Sequence, residues 1–129
     1  MLGILSYGLG NINAIKNMLE DINIETRMIN SPRDIDKTID KLILPGVGSF
    51  DYAMELLESK NFVKPIKKFA SLKSNKLLGI CVGMQILASE SEEGKKEGLN
   101  LIPGKVKKFK EVEILPHVGW NTVKKNGEN

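Results

Sequence analysis

The 129 residues contain one cysteine and one histidine. A lone cysteine excludes an internal disulfide framework and suits a reducing, cytoplasmic setting. One Cys and one His cannot close a structural zinc site, and no CxxC spacing occurs, so neither a metal nor a cofactor is expected. Aromatic residues make up only 5% of the chain, too few to build base-stacking platforms. The net charge of +3 and pI near 8.9 are mild. They would help draw in an anionic ligand without pointing to nucleic acid. No apolar run is long enough to span a bilayer. The apolar start, Met1 to Leu5, lacks the basic region and small-residue cleavage site of a signal peptide. These absences leave a cytoplasmic protein with no membrane or nucleic-acid partner.

What is present is ordinary globular composition, 41% hydrophobic and 27% charged, in one domain's worth of chain, 1–129. Short apolar runs alternate with amphipathic stretches, the pattern of βαβ units around an open, mostly parallel sheet with flanking helices. Leu2–Leu5 reads as a first strand closed by the glycine-rich turn Tyr7-Gly8-Leu9-Gly10, followed by helical spacing of Ile12, Ile15, Met18 and Leu19. Ile24–Ile29, with Glu25 and Arg27 interleaved, reads as a second strand near a sheet edge. Lys41–Leu44 is a third strand stopped by Pro45-Gly46-Val47-Gly48, after which Ser49 or Asp51 caps a helix carrying Ala53, Met54, Leu56 and Leu57. A further helix runs from about Val63 to Leu72, with Pro65 in its first turn and a lysine stripe that reads as a solvated face. Leu77–Ile80, wholly apolar, suits the centre of the sheet. Ser89–Gly98 reads as an exposed loop, and Val106–Phe109 with Val112–Leu115 as two strands of an insertion. Gly8-Leu9-Gly10 is a poor dinucleotide turn, because Asn13 replaces the third glycine and no acidic residue closes the second strand.

The most informative segment is Leu77-Leu78-Gly79-Ile80-Cys81-Val82-Gly83-Met84-Gln85. An apolar strand enters G-x-C-x-G and continues into helical sequence, the arrangement of a nucleophile elbow with cysteine in place of serine. Side chains at Gly79 or Gly83 would collide with the turn or the helix. A sulfur at a helix N-terminus is favoured as thiolate, and the Val82 N–H faces a developing oxyanion. An arbitrary cysteine is more often a buried structural one. The glycine pair and the flanking elements reverse that expectation for Cys81. Pro45-Gly46-Val47-Gly48 ends a strand at the same sheet edge and is the candidate second donor, although Pro-Gly alone signals any turn.

Five segments together resemble the glutaminase subunits of imidazole glycerol phosphate synthase, within the triad-type class I glutamine amidotransferases. They are Tyr7-Gly8-Leu9-Gly10-Asn11, Leu42 to Phe50, Gly79 to Gln85, Ser91-Glu92-Glu93-Gly94 and Pro116-His117-Val118-Gly119-Trp120-Asn121. The resemblance implies that Cys81 attacks the amide of glutamine, that Gly46, Val47 and Gly48 form the oxyanion strand with Val82 as second donor, and that Gln85 holds the substrate. It implies that Asn11, Trp120 and Asn121 face a partner subunit, a (β/α)₈-barrel synthase in a heterodimer that receives the ammonia for histidine biosynthesis. For Trp120 a buried core position is an equal alternative.

A cysteine nucleophile of this class needs a histidine base oriented by an acid. The family carries both in an F-x-F-H-P-E-type segment that is absent here, and His117, in the P-H-x-G-W-N loop, is a poor substitute. The chain is also shorter than family members. A C-terminally truncated, incomplete domain, inactive as given, is therefore expected. The alternatives are a paralogous glutaminase feeding another synthase, such as one amidating a surface sugar, or a non-catalytic interaction module.

Overall fold

A computed structural model describes residues 1–110, 115–116, 118–124 and 126. The elements run β1 (Leu2–Leu5), α1 (Ile12–Asp21), β2 (Thr26–Ile29), a short 3₁₀ turn (Pro32–Asp34), β3 (Lys41–Leu44), α2 (Phe50–Ser59), α3 (Val63–Ala70), β4 (Lys76–Gly79), α4 (Val82–Gln85), β5 (Ala88–Ser91) and β6 (Ile102–Val106). The first four strands form one sheet, ordered β2-β1-β3-β4 and parallel throughout. The expected α/β architecture is therefore present.

Alternation along the strands sends successive side chains to opposite faces. Leu5, Leu42 and Leu44 join Phe50, Ala53 and Leu57 of α2, Ile66 and Phe69 of α3, and Val82 and Ile86 around the elbow in the main core. On the other face Ile4 and Ile43 meet Leu19 of α1, with Ile12 and Ile15 packed alongside. Met18, expected on that buried face, is instead exposed, because the buried stripe of α1 follows Ile12, Ile15 and Leu19. Asn11 caps α1, its Oδ1 accepting from the Ala14 N–H at 3.2 Å. Ser49 caps α2, accepting from Tyr52 N–H at 3.4 Å.

The polar second strand does lie at an edge, where Arg27 bridges to Asp36 at 3.0 Å. The position of β4 differs from expectation. Among the described residues it is the outer strand on the other side, with Leu78 57% exposed. An apolar run reports that both faces suit burial, and it says nothing about which neighbours are supplied. The insertion strands also differ. Ser89–Ser91, the start of the expected loop, belong to β5, which pairs in parallel with Ile102–Val106, so the pairing begins before Val106, and 107–109 lie outside regular structure. Residues 112–114 of the second expected strand lie outside the described residues.

Candidate active site

The site grows from the C-terminal ends of β3 and β4, which are paired from Lys41↔Lys76 to Leu44↔Gly79. The Ile80 N–H extends that pairing by donating to the Leu44 carbonyl at 3.0 Å. At Cys81 the chain reverses with φ 57 and ψ −120, a left-handed-side conformation that a non-glycine residue holds at a cost of about 1–3 kcal/mol. Its surroundings impose that shape. The Gly83 N–H donates to the Ile80 carbonyl at 3.0 Å, and the Met84 N–H to the Cys81 carbonyl at 2.9 Å, so the turn closes around the cysteine. The thiol is exposed, as an elbow nucleophile must be. Helix α4 is a single turn, so the unbonded Val82 N–H rather than a long-helix dipole is what this position can offer the sulfur.

Both glycines of the motif are sterically required. A methyl group at Gly83 would stand 1.9 Å from the Leu44 carbonyl oxygen, and one at Gly79 would stand 2.5 Å from the Gly83 oxygen. Gly46 belongs to the same close packing, since a methyl group there would lie 2.5 Å from the Gly83 nitrogen. The structure thus brings Pro45 and Gly46, the near end of the expected oxyanion segment, against the elbow. Pro45 and Gly46 are buried, whereas Val47 and Gly48 are exposed, Gly48 at φ 99. Among the described residues the N–H groups of Val47, Gly48 and Val82 donate to no protein acceptor. Unbonded N–H groups, one in the residue after an exposed cysteine and two in a segment packed against its turn, are the kind of donors that can stabilise a negatively charged oxygen.

Gln85 lies one turn after Cys81, its N–H donating to the Cys81 carbonyl at 3.1 Å. Its side-chain Oε1 is buried without a hydrogen-bond partner among the described residues, an acceptor that a bound donor would satisfy. Asn11, Trp120 and Asn121 are exposed; Trp120 is not a core residue. His117 lies outside the described residues. A cleft of about 780 Å³ lined by Ile39, Lys64 and Phe69 includes none of the elbow residues.

Two residues of the site's frame were missed in the sequence. Tyr7, read only as part of a turn, is fully buried and donates its hydroxyl to the Pro45 carbonyl at 2.8 Å. Asp51, considered as a helix cap, instead receives the backbone N–H groups of Lys95 and Lys96 at 3.0 Å, tying the Ser91–Gly94 loop to the start of α2. Those N–H groups hold the Asp51 carboxyl below its ordinary range. The acidic residue in the first turn of α2 was a visible signal, but its partner 44 residues away was not.

The sequence pattern of the CobB/CobQ-like glutamine amidotransferase domain matches residues 4–124. The chain belongs to this family. Imidazole glycerol phosphate synthase subunit HisH of Leptospira interrogans is 44% identical over 128 residues, 95% of this chain and 62% of that protein. The HisH subunit of Prochlorococcus marinus is 39% identical over 98% of this chain and 60% of its own length. That of Bacillus mycoides is 44% identical over 99% and 61%. The amidotransferase domain described here thus spans about six tenths of the length of these curated relatives. A crystal structure of a glutamine amidotransferase shares the fold, with a TM-score of 0.68 at 23% identity over 82% of this chain and 55% of that one. No helix among the described residues is long and apolar enough to cross a membrane.

Proposed function

We propose that Cys81 hydrolyses the side-chain amide of glutamine to release ammonia for a synthase subunit of histidine biosynthesis. The observation that carries this reading is the exposed cysteine at φ 57, ψ −120, followed by an unused Val82 N–H, in a turn whose Val82 and Gly83 pack against Gly46. The sulfur, as thiolate, adds to the carboxamide carbon. The carbonyl oxygen becomes an oxyanion received by the Val82 N–H and the Gly46–Gly48 segment. The carbon–nitrogen bond breaks, the nitrogen takes a proton and leaves as ammonia, and water hydrolyses the glutamyl thioester. The unsatisfied Oε1 of Gln85 supports a role in holding the substrate.

The proton transfers require a histidine and an acid. These 129 residues contain no His-Pro-Glu pattern, and we assign both groups to the part of the relatives' length not spanned here. On this reading the 129 residues alone do not turn over. The relatives' shared name favours the imidazole glycerol phosphate synthase acceptor over a paralogous one and over a purely structural module. The partner is then a (β/α)₈-barrel subunit in a cytoplasmic heterodimer through which ammonia is channelled, and Asn11, Trp120 and Asn121, exposed in this structure, are assigned to that interface.

The test uses the full-length protein with its synthase subunit and an electrophilic glutamine analogue. Labelling should be stoichiometric at Cys81 and absent in Cys81→Ser. Equal labelling of the variant would sink the proposal.

A further inference from the structure

The segment Pro45–Gly48 is held at one end and loose at the other. Pro45 and Gly46 are buried, and Gly46 packs against Val82 and Gly83. Val47 is 58% exposed, and a methyl group at Gly48 would meet nothing within 4 Å. What holds the near end comes from another part of the sheet. Tyr7, just beyond β1, is fully buried and donates to the Pro45 carbonyl at 2.8 Å. Gly10 closes over the same residue, since a methyl group there would stand 2.8 Å from the Pro45 Cβ.

We infer that Tyr7 is a positioning residue: its hydroxyl holds the Pro45–Gly46 peptide plane and so aims the oxyanion segment at the carbon attacked by Cys81. This rests on the glutaminase reading above. In a trans peptide the carbonyl and the following N–H point in opposite directions, so one hydrogen bond to the carbonyl fixes the whole plane. The next donors, Val47 and Gly48, swing from that fixed plane. Burial pushes the Tyr7 hydroxyl well above its ordinary titration range, so it remains a donor at any working pH. Without the hydroxyl, the Pro45 carbonyl is left buried without its donor and the plane is free to tilt toward another partner. The oxyanion exists in the transition state and not in bound glutamine. Misaiming its donors therefore lowers kcat while leaving substrate binding alone.

The experiment compares wild type and Tyr7→Phe in the full-length protein bound to its synthase subunit. Loosening an oxyanion donor without deleting it should lower kcat for glutamine about tenfold, less than the loss on removing one outright. KM should stay within about twofold. Alkylation of Cys81 by iodoacetamide, which needs the thiolate but no oxyanion hole, should proceed at the wild-type rate. An unchanged kcat overturns the inference. So does a fall in kcat accompanied by altered KM and altered alkylation, which marks a general structural loss. If Tyr7→Phe does not fold, 4-fluorophenylalanine at position 7 fills the space of the hydroxyl but donates no hydrogen bond, and an unchanged kcat with that substitution overturns the inference equally. A wild-type complex with no Cys81-dependent glutaminase overturns both this inference and the function proposed above. An active wild type beside an equally active Tyr7→Phe overturns this one alone.

Discussion

The two faces of the parallel sheet are packed to very different extents. On one face Leu42 and Leu44 of β3 lie under α2, α3 and the elbow, within a single cluster that also contains Phe50, Leu57, Phe62 and Ile86, each fully buried. On the other face, among the described residues, α1 packs on β1 and β2, and the buried cluster there is Ile4, Leu19 and Ile43. One strand further on, Leu78 is 57% and Ile80 36% exposed. Among the described residues, the strand that leads to Cys81 is therefore covered mainly from one side. The elbow depends on the closed face, because Val82, Ile86 and Leu44 belong to that core and Gly83 sits directly on the end of β3.

That contrast can be tested on the 129-residue chain, from the largest expected effect downward. Gly83→Ala places a methyl group 1.9 Å from the Leu44 oxygen, backbone that cannot give way. It should cost more than about 4 kcal/mol or prevent folding, as read by denaturant unfolding. Retention of wild-type stability would mean that the elbow does not rest on β3. Leu57→Ala, in the closed core, should cost about 2–5 kcal/mol through lost burial and a residual cavity. Leu19→Ala, in the small α1 cluster where the neighbours can close in, should fall near the bottom of that range, about 2 kcal/mol.

Asp51 allows a test of the loop bound to the start of α2. Its folded carboxyl titrates lower than normal, because the Lys95 N–H and then the Lys96 N–H donate to it. A depressed folded value means that the stabilisation is fully present above the ordinary aspartate range, near about 4, and is lost as pH falls through the folded value. Hydrogen exchange at the Lys95 and Lys96 amides, corrected for intrinsic rates, should be protected at neutral pH and lose protection only in acid. In Asp51→Asn, protection should drop at neutral pH as well. Leu78→Ala should produce the smallest change, within about 0.5 kcal/mol, because the side chain already lies in solvent. A loss comparable to that of Leu57→Ala would break the comparison, because it would mean that the outer face of β4 is covered.

Some of the fold was readable from short-range patterns. The apolar runs Leu2–Leu5 and Lys41–Leu44 became strands with the expected bounds, and Ser49 capped its helix through its own third neighbour. Helix α3 tolerated Pro65 in its first turn as expected, though it ended at Ala70. Less could be read where partners lie far apart in the chain. Ala88–Ser91 carries Ser89, Glu90 and Ser91, a polar stretch that looks like loop, and it is a strand because Ile102–Val106 pairs with it. Of the candidate site, the sequence pointed to Cys81 and Gly46–Gly48, and the structure packs Gly46 against Val82 and Gly83 of the elbow, whereas Tyr7 and Asp51 were not assigned their partners.

The sequence by itself determined the elbow. Gly79, Cys81 and Gly83 lie within five residues, and the sterics of so tight a turn act over that same span. Only the tertiary structure decided that Tyr7 bonds to Pro45, that Asp51 receives a loop rather than capping its helix, and that, among the described residues, β4 leaves Leu78 exposed. Each depends on which segments the sheet brings together across tens of residues, and neither a hydroxyl nor a carboxylate encodes its distant partner in its own local pattern.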